Sequence, residues 1–336
     1  MALQKDDFSS VSVSIGSESI RGRRLVEGIL RERGVSTFQE IYNTKDFEAA
    51  IIANETDLFV CDASLPTGEL DKLMERVRNG WLGPNPFFNI LVLIYDTTPE
   101  SVKKYLNAGA DSIIQIPFSK NQLLKHFMQV IDHRKPFVVT SDYIGPDRDR
   151  TKRPGEQKIP NIKVPNLISE KIYNSFKKEN HNNEVLATMA IINEEKMSRH
   201  AFQVGWLADK MVSIAENSTI PTKSNETRSK APEEVARHFG ESLLRTANDM
   251  NLRIVGLKDD HTKDLCISLL SAAEKINESP PFPDQRDVGE LVELAIELKT
   301  TEKWYGPDGA VLQEPLKLGE PSEIENTVEA ETVTES

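Results

Sequence analysis

Three short segments are apolar through their centres: Asp57–Cys61 (DLFVC), Asn89–Ile94 (NILVLI) and Asp111–Ile116 (DSIIQI). None shows the strict polar alternation of a half-solvated strand. A strand of this kind has both faces covered, and a parallel sheet flanked by helices provides that cover. Val11–Ile15 (VSVSI) and Thr37–Tyr42 (TFQEIY) are two further extended runs. Amphipathic segments separate the five. The first places Ile20, Leu25, Ile29 and Leu30 at helical spacing and stops at Gly34, a residue suited to a left-handed cap. A second, Asp46–Asn54, has Asp46 where a cap belongs. Glu69–Asn79, a helix opening at Pro99 and Glu100, and Asn121–Ile131 complete the alternation. Residues 9–135 are therefore expected to form one α/β domain, a doubly wound five-stranded parallel sheet.

The remaining 200 or so residues read differently. Residues 136–166 form a connector whose segment Arg148–Lys163 carries six basic residues against two acidic ones. Residues 167–300 are expected to be an all-α helical bundle. Residues 301–336 are expected to be a disordered acidic tail, with seven glutamates and one lysine between Glu314 and Ser336. A polar stretch, Glu216–Glu234, reads as a long flexible loop inside the bundle. The formal net charge of −12 argues against a nucleic-acid partner, although the connector is locally basic. Cys61 and Cys266 lie far apart in apolar runs and read as buried thiols of a reducing, cytoplasmic compartment. No apolar run reaches the length of a membrane span, and the first residues show no signal-peptide core.

In a doubly wound sheet, chemistry gathers at the carboxyl ends of the strands. The third run ends in Cys61-Asp62-Ala63-Ser64-Leu65-Pro66, so Asp62 stands at the crevice. Spacing alone leaves two readings of Asp62: a functional carboxylate, or a residue that caps a loop.

These features together resemble the receiver domain of bacterial response regulators. The resemblance rests on the aspartate after the third strand with its Leu65-Pro66. It rests also on Pro99-Glu100 opening a helix that ends in Asn107-Ala-Gly-Ala-Asp111, and most of all on Ala108–Ser119 (AGADSIIQIPFS). It covers residues 9–133 and implies a strand order of 2-1-3-4-5, two-component signalling, and phosphoryl transfer to Asp62. A working receiver also holds Mg²⁺ through an acidic pair after the first strand, binds the phosphoryl group with a lysine, and switches with a hydroxyl and an aromatic ring. Here the acidic pair maps near Gly16-Ser17-Glu18, leaving Glu18; the lysine position is Ile116, the switch hydroxyl Ile94 and the switch ring Ile113. Phosphoryl transfer needs positive charge at the reacting oxygens. With Glu18 and Asp62 the only metal candidates, no cofactor is expected beyond weak Mg²⁺ binding. The resemblance thus implies a degenerate receiver. In α-helix Asn121–Ile131, Leu123, Leu124, Phe127, Val130 and Ile131 are apolar; either all five are core, or Phe127 faces out as a pairing surface.

Tyr143-Ile-Gly-Pro-Asp147-Arg148 in the connector resembles a Tyr-x-Gly-Pro-Asp-Arg signature of bacterial signalling proteins, and Trp304–Gly309 repeats its kernel. Two readings stand. One is a structural turn with Tyr143 packed back on a domain surface. The other is an anion or partner contact through Tyr143, Arg148, Arg150, Lys152 and Arg153.

In the helical unit, Val164–Lys178, Asn183–Glu216 (capped by Asn183 and open to a break at NEEKMSRH), a helix from Pro232, Lys263–Asn277 and a helix capped near Asp284 are expected, with a brief extended bridge at Arg253–Val255. His200 and His238 lack the following lysine and small residue of a phosphotransfer histidine, so both read as packed or surface histidines. There is no Walker loop, dinucleotide fingerprint, nucleophile elbow or metal spacing. The sequence therefore points to a non-enzymatic signalling adaptor whose partners are proteins, itself included. Two alternatives remain: an atypical response regulator phosphorylated at Asp62, and an assembly protein that uses the fold for packing.

Overall fold

The computed structural model describes residues 8–66, 69–148, 159–173, 175–218, 232–257, 259–278 and 283–301. The five extended runs become β1 (Ser12–Gly16), β2 (Thr37–Ile41), β3 (Leu58–Asp62), β4 (Asn89–Ile94) and β5 (Ser112–Gln115). They pair in parallel in the order β2-β1-β3-β4-β5. Every residue of the central strands β3 and β4 is buried, whereas the edge strand β2 is largely exposed. That contrast is the physical content of their compositions, since only the doubly covered strands can lack polar alternation.

Helices α1 (Ile20–Arg33), α2 (Thr44–Ala53), α3 (Leu70–Arg78), α4 (Pro99–Asn107) and α5 (Lys120–Asp132) cover the two faces. Alternation along β4 divides the core: Leu91 and Leu93 join α1 and α5, while Ile90, Val92 and Ile94 join α2, α3 and α4. Phe127 is fully buried, its ring 5.9 Å from that of Phe8, so α5 spends that side chain on the core and not on an outward surface. Gly34 closes α1 in the left-handed conformation. The cap of α2 is Asn43, not Asp46: the Asn43 side chain accepts from Asp46 N, and Asp46 in turn accepts from the Tyr42 amide.

The connector is more structured than its composition suggests. Phe137–Thr140 (β6) and Tyr143–Pro146 (β7) form an antiparallel hairpin, and Ile162 bridges back to Phe137. The hairpin is clamped to the α/β unit by a buried ionic cluster. Asp111 accepts from Arg78 at 2.8 Å and Arg134 at 2.9 Å, and the ring of Phe137 lies 5.2 Å from each guanidinium. Arg78 also donates to the carbonyls of Gly109, Pro86 and Phe88.

A short helix, α6 (Leu167–Ile172), replaces the longer run expected over 164–178. It inserts Ile168 and Ile172 into the α1–α5 side of the core, so bundle packing begins after it. Then α7 runs unbroken from Lys178 to Ser218, straight through NEEKMSRH and starting well before Asn183. At a rise of about 1.5 Å per residue it is roughly 60 Å long. Its first half packs Val185, Met189 and Ile192 on the hairpin beside Phe137 and Ile144. Its second half closes a four-helix ring with α8 (Pro232–Arg253), α9 (Asp260–Glu278) and α10 (Gln285–Thr300). Pro232 opens α8 and Asp284 caps α10. Arg253–Val255 is not extended; Ile254–Gly256 is a 3₁₀ turn. Cys61 and Cys266 are free and buried, and burial pushes both thiols up, Cys266 to about 12. Among the described residues no helix is long and apolar enough to cross a membrane. Both ends of the loop expected over Glu216–Glu234 are helical, since α7 runs to Ser218 and α8 starts at Pro232; residues 219–231 lie outside the described residues, as do residues 302–336 of the expected tail, with Trp304–Gly309.

The cluster at Asp111 generates a stability prediction. Burial works to raise the Asp111 carboxyl, but Arg134 and Arg78 outweigh it and hold it below the ordinary carboxylate value. A depressed carboxyl stabilises the fold fully above its unfolded pKa, and that stabilisation is lost as pH falls through the folded value. Asp111→Asn leaves two buried guanidiniums uncompensated and should cost about 3–5 kcal/mol at neutral pH in urea unfolding. The gap to the wild type should narrow on acidification.

Candidate functional site

The parallel register of β1 and β3 sets Gly16 beside Cys61 and brings the loop after β1 to the end of β3. Asp62, at that end, is 3% exposed. Its Oδ1 accepts from the Ser64 amide at 3.0 Å and from the Ser64 hydroxyl at 2.8 Å, and its Oδ2 takes a long bond from Ser17 Oγ at 3.4 Å. Among the described residues Asp62 makes no ion pair. The Asp62 carboxylate is thus buried at the strand end and held by two serines.

Glu18 lies in the same loop, but its side chain is exposed and Ser17 is the residue bonded to Asp62. The peptide carbonyls of Ser17 and Glu18 instead receive the Arg23 guanidinium, which also pairs with Glu40 at 3.3 Å and lies over the Tyr42 ring. Sequence reasoning missed Arg23 because it sits on α1 among other arginines, with only its burial to distinguish it. Mg²⁺ asks for about six oxygen ligands in near-octahedral order. One buried carboxylate already engaged by serines, with an exposed glutamate nearby, does not fit that demand. Among the described residues no group of three or more His, Cys, Asp or Glu side chains could hold a metal.

The positions that the resemblance assigns to the switch hydroxyl, the switch ring and the lysine are aliphatic, Ile94 buried and Ile113 and Ile116 partly so. Ile94 is buried and Ile113 packs on the same cluster, between the sheet and α2–α4. Ile116 packs on the opposite cluster, and its peptide bond to Pro117 is cis. No hydroxyl, ring or ammonium occupies these positions. A tyrosine reaches the site from another direction: Tyr105 of α4 donates to the Ala63 carbonyl at 3.1 Å, next to Asp62. Burial raises its hydroxyl above the ordinary value.

No family model matches the chain, and neither does any curated protein. Solved structures do resemble it. The chemotaxis response regulator CheY4 of Vibrio cholerae is 23% identical over 36% of this chain and 98% of its own, with a TM-score of 0.32. The CheY-like receiver domain protein from Methanospirillum hungatei JF-1 is 21% identical over 37% of this chain and 95% of its own, at 0.32. A signal receiver domain of a histidine kinase from Clostridium thermocellum is 17% identical over 36% and 98%, at 0.33. At such identities the likeness concerns the fold, and the roles of residues rest on the geometry given above.

The Tyr-x-Gly-Pro-Asp-Arg motif turns out to be a packing device. The Tyr143 hydroxyl, buried, donates to the Pro146 carbonyl at 2.8 Å. Arg148 donates to the carbonyls of Leu106, at 3.2 Å, and Ala110, at the end of α4. These contacts engage Nη2 of Arg148 with backbone carbonyls, which favours the structural reading of the motif at this residue. Arg150, Lys152 and Arg153 lie outside the described residues. His200 is buried with Nε2 against Asp249 and presents no accessible imidazole, whereas His238 is exposed on α8.

Gly145 supplies the test of the motif. A Cβ there would lie 2.6 Å from the Tyr143 hydroxyl oxygen and 3.1 Å from Gly109 Cα. Gly145→Ala should destabilise by about 1–3 kcal/mol through overpacking. Tyr143→Phe should cost only about 1 kcal/mol for one lost hydrogen bond. Urea midpoints of the two variants, compared with the wild type, check this ranking.

Proposed function

We propose that the chain is a non-enzymatic signalling adaptor whose receiver-like domain acts through protein contacts without a canonical phosphorelay. The observation that carries this reading is the packing of Ile94, Ile113 and Ile116 into the two cores, where a relay needs a hydroxyl, a ring and an ammonium. A phosphoryl group on Asp62 would face Ser17 and Ser64, neutral donors, with no cation paired at the site to offset its charge. The proposed partners are other signalling proteins or a second copy of this chain, met in the cytoplasm. Phe202 and Trp206 of α7, both exposed, give the bundle apolar surface of the kind that protein contacts use.

One observation favours a second reading. Asp62 retains the acceptor position at the end of β3, and charge on it could reach α4 through Ala63 and Tyr105 without the usual switch. Incubation of the full chain with acetyl phosphate and Mg²⁺, followed by intact mass, separates the two. The adaptor reading expects no phosphate adduct. A stoichiometric adduct that disappears in Asp62→Asn would overturn it and establish the second.

A further inference from the structure

Phe202, on α7, is the most exposed large apolar side chain among the described residues, at 65%, and Trp206, one turn further on, is 46% exposed. Residues four apart on a helix lie one above the other, so the two make a single aromatic strip. Neighbouring helices set its borders. The Trp206 ring meets Phe239 of α8 edge-on at 5.6 Å. Gly205 is covered by α10: a Cβ built there would run into Cε and Nζ of Lys299. As it ends, α10 therefore delivers the chain to this strip, and the last described residue is Thr301.

Trp304 follows three residues later and opens the second copy of the Gly-Pro-Asp kernel. Aligned on Gly-Pro-Asp, Trp304 and Tyr305 take the places of Tyr143 and Ile144. In the first copy both side chains are buried, at 6% and 3% exposed, and Ile144 packs with Val185, Met189 and Ile192 in the first half of α7. Two adjacent apolar side chains ahead of a Gly-Pro turn thus already pack beside this helix once. The second copy carries a larger pair, two aromatic rings, and starts beside the second half of α7.

Reach and charge agree with this placement. An extended chain spans at most about 3.6 Å per residue, so the five steps from Lys299 to Trp304 cover up to roughly 18 Å. Phe202 lies three residues from Gly205 along α7, about 4.5 Å of helix rise. Lys299 is exposed beside the strip, and so is Lys210, whose Nζ stands 5.5 Å from the Trp206 ring. Asp308 and the glutamates from Glu314 onward follow the aromatic pair and complement these ammonium groups. A tethered segment also competes at an effective concentration on the order of millimolar, which a second copy of the chain does not match in dilute solution.

We propose that Trp304 and Tyr305 fold back onto the Phe202–Trp206 strip and cover it. The packing itself does not depend on the adaptor reading. Its consequence rests on that reading: the strip is the apolar surface assigned to protein contacts, so a partner that meets it must first displace the chain's own segment. The cover is then an autoinhibitory contact built into the bundle.

The test uses the full chain with Trp81→Phe and Trp206→Phe, which leaves Trp304 as its one tryptophan and keeps a ring at both positions. Acrylamide quenching of Trp304 fluorescence is measured in the folded chain and again in urea. The folded measurement is repeated over a concentration series, with the mass followed by light scattering. Trp304 should be quenched several-fold less in the folded chain than in urea, at every concentration and at the mass of one chain. Adding Phe202→Ala should restore most of the quenching. The helical circular dichroism should stay at the parent level, since Phe202 lies outside the core. The proposal is overturned if Trp304 is quenched as freely in the folded chain as in urea, if its protection appears only where the mass doubles, or if Phe202→Ala leaves the protection intact. A phosphate adduct on Asp62 would refute the adaptor reading and leave these outcomes unchanged.

Discussion

The carboxylate of Asp111 holds the molecule together. It stands just before β5, and its partners are Arg78 and Arg134. Their guanidiniums flank Phe137, the first residue of the hairpin, and Arg78 extends the grip to three backbone carbonyls. The hairpin in turn gives α7 its docking surface through Val139, Ile144 and Ile162. Without a single buried anion between two buried cations, the hairpin would have no fixed place on the sheet and the long helix no fixed place on the hairpin. A buried ionic cluster is a weak source of stability compared with apolar packing, but it fixes geometry, since few arrangements satisfy all its hydrogen bonds at once.

The α/β unit was legible in the sequence because its signal is local. Apolar runs such as NILVLI and cap residues such as Gly34 act over a few neighbours, and the strand order follows from a crossover rule that leaves few choices. The hairpin was not legible. Its strands are four residues each, its turn is Ser141-Asp142, and β7 contains Gly and Pro, which read as a breaker. Only the long-range contacts of Phe137 and Tyr143 make it a sheet. The unbroken α7 was missed for a related reason: NEEKMSRH looks like a polar interruption, yet Lys196 and His200 are buried by the hairpin and by α8. Polar residues at helical spacing can be core when ionic partners come from elsewhere in the chain.

The site at Asp62 was legible in position and only partly in content. The place of Asp62 at the end of β3, and of Ile94 and Ile113 on β4 and β5, could be read directly, because they lie on strands with a clear apolar signal. The partners of Asp62 could not. Ser64 is adjacent and Ser17 comes from a different strand end, and neither has a sequence signature. Arg23 and Tyr105 were equally silent, each a common residue on a helix whose role is set by burial and by a carbonyl it happens to reach.

The packing around Asp62 and the end of α4 is tight. Here the end of α4 is fastened from below by Arg148 on the carbonyls of Leu106 and Ala110, and Gly109 is pressed between Arg78 and the hairpin. Ile94 and Ile113 fill the path from Asp62 with close-packed carbon, which transmits little without repacking. A cavity between the two units touches the same region from the other side, at Asn107 and Ala108. The end of α4 is thus held by the connector and the hairpin, and the core behind Asp62 by aliphatic side chains, so that a change at one element must be met by repacking at the next.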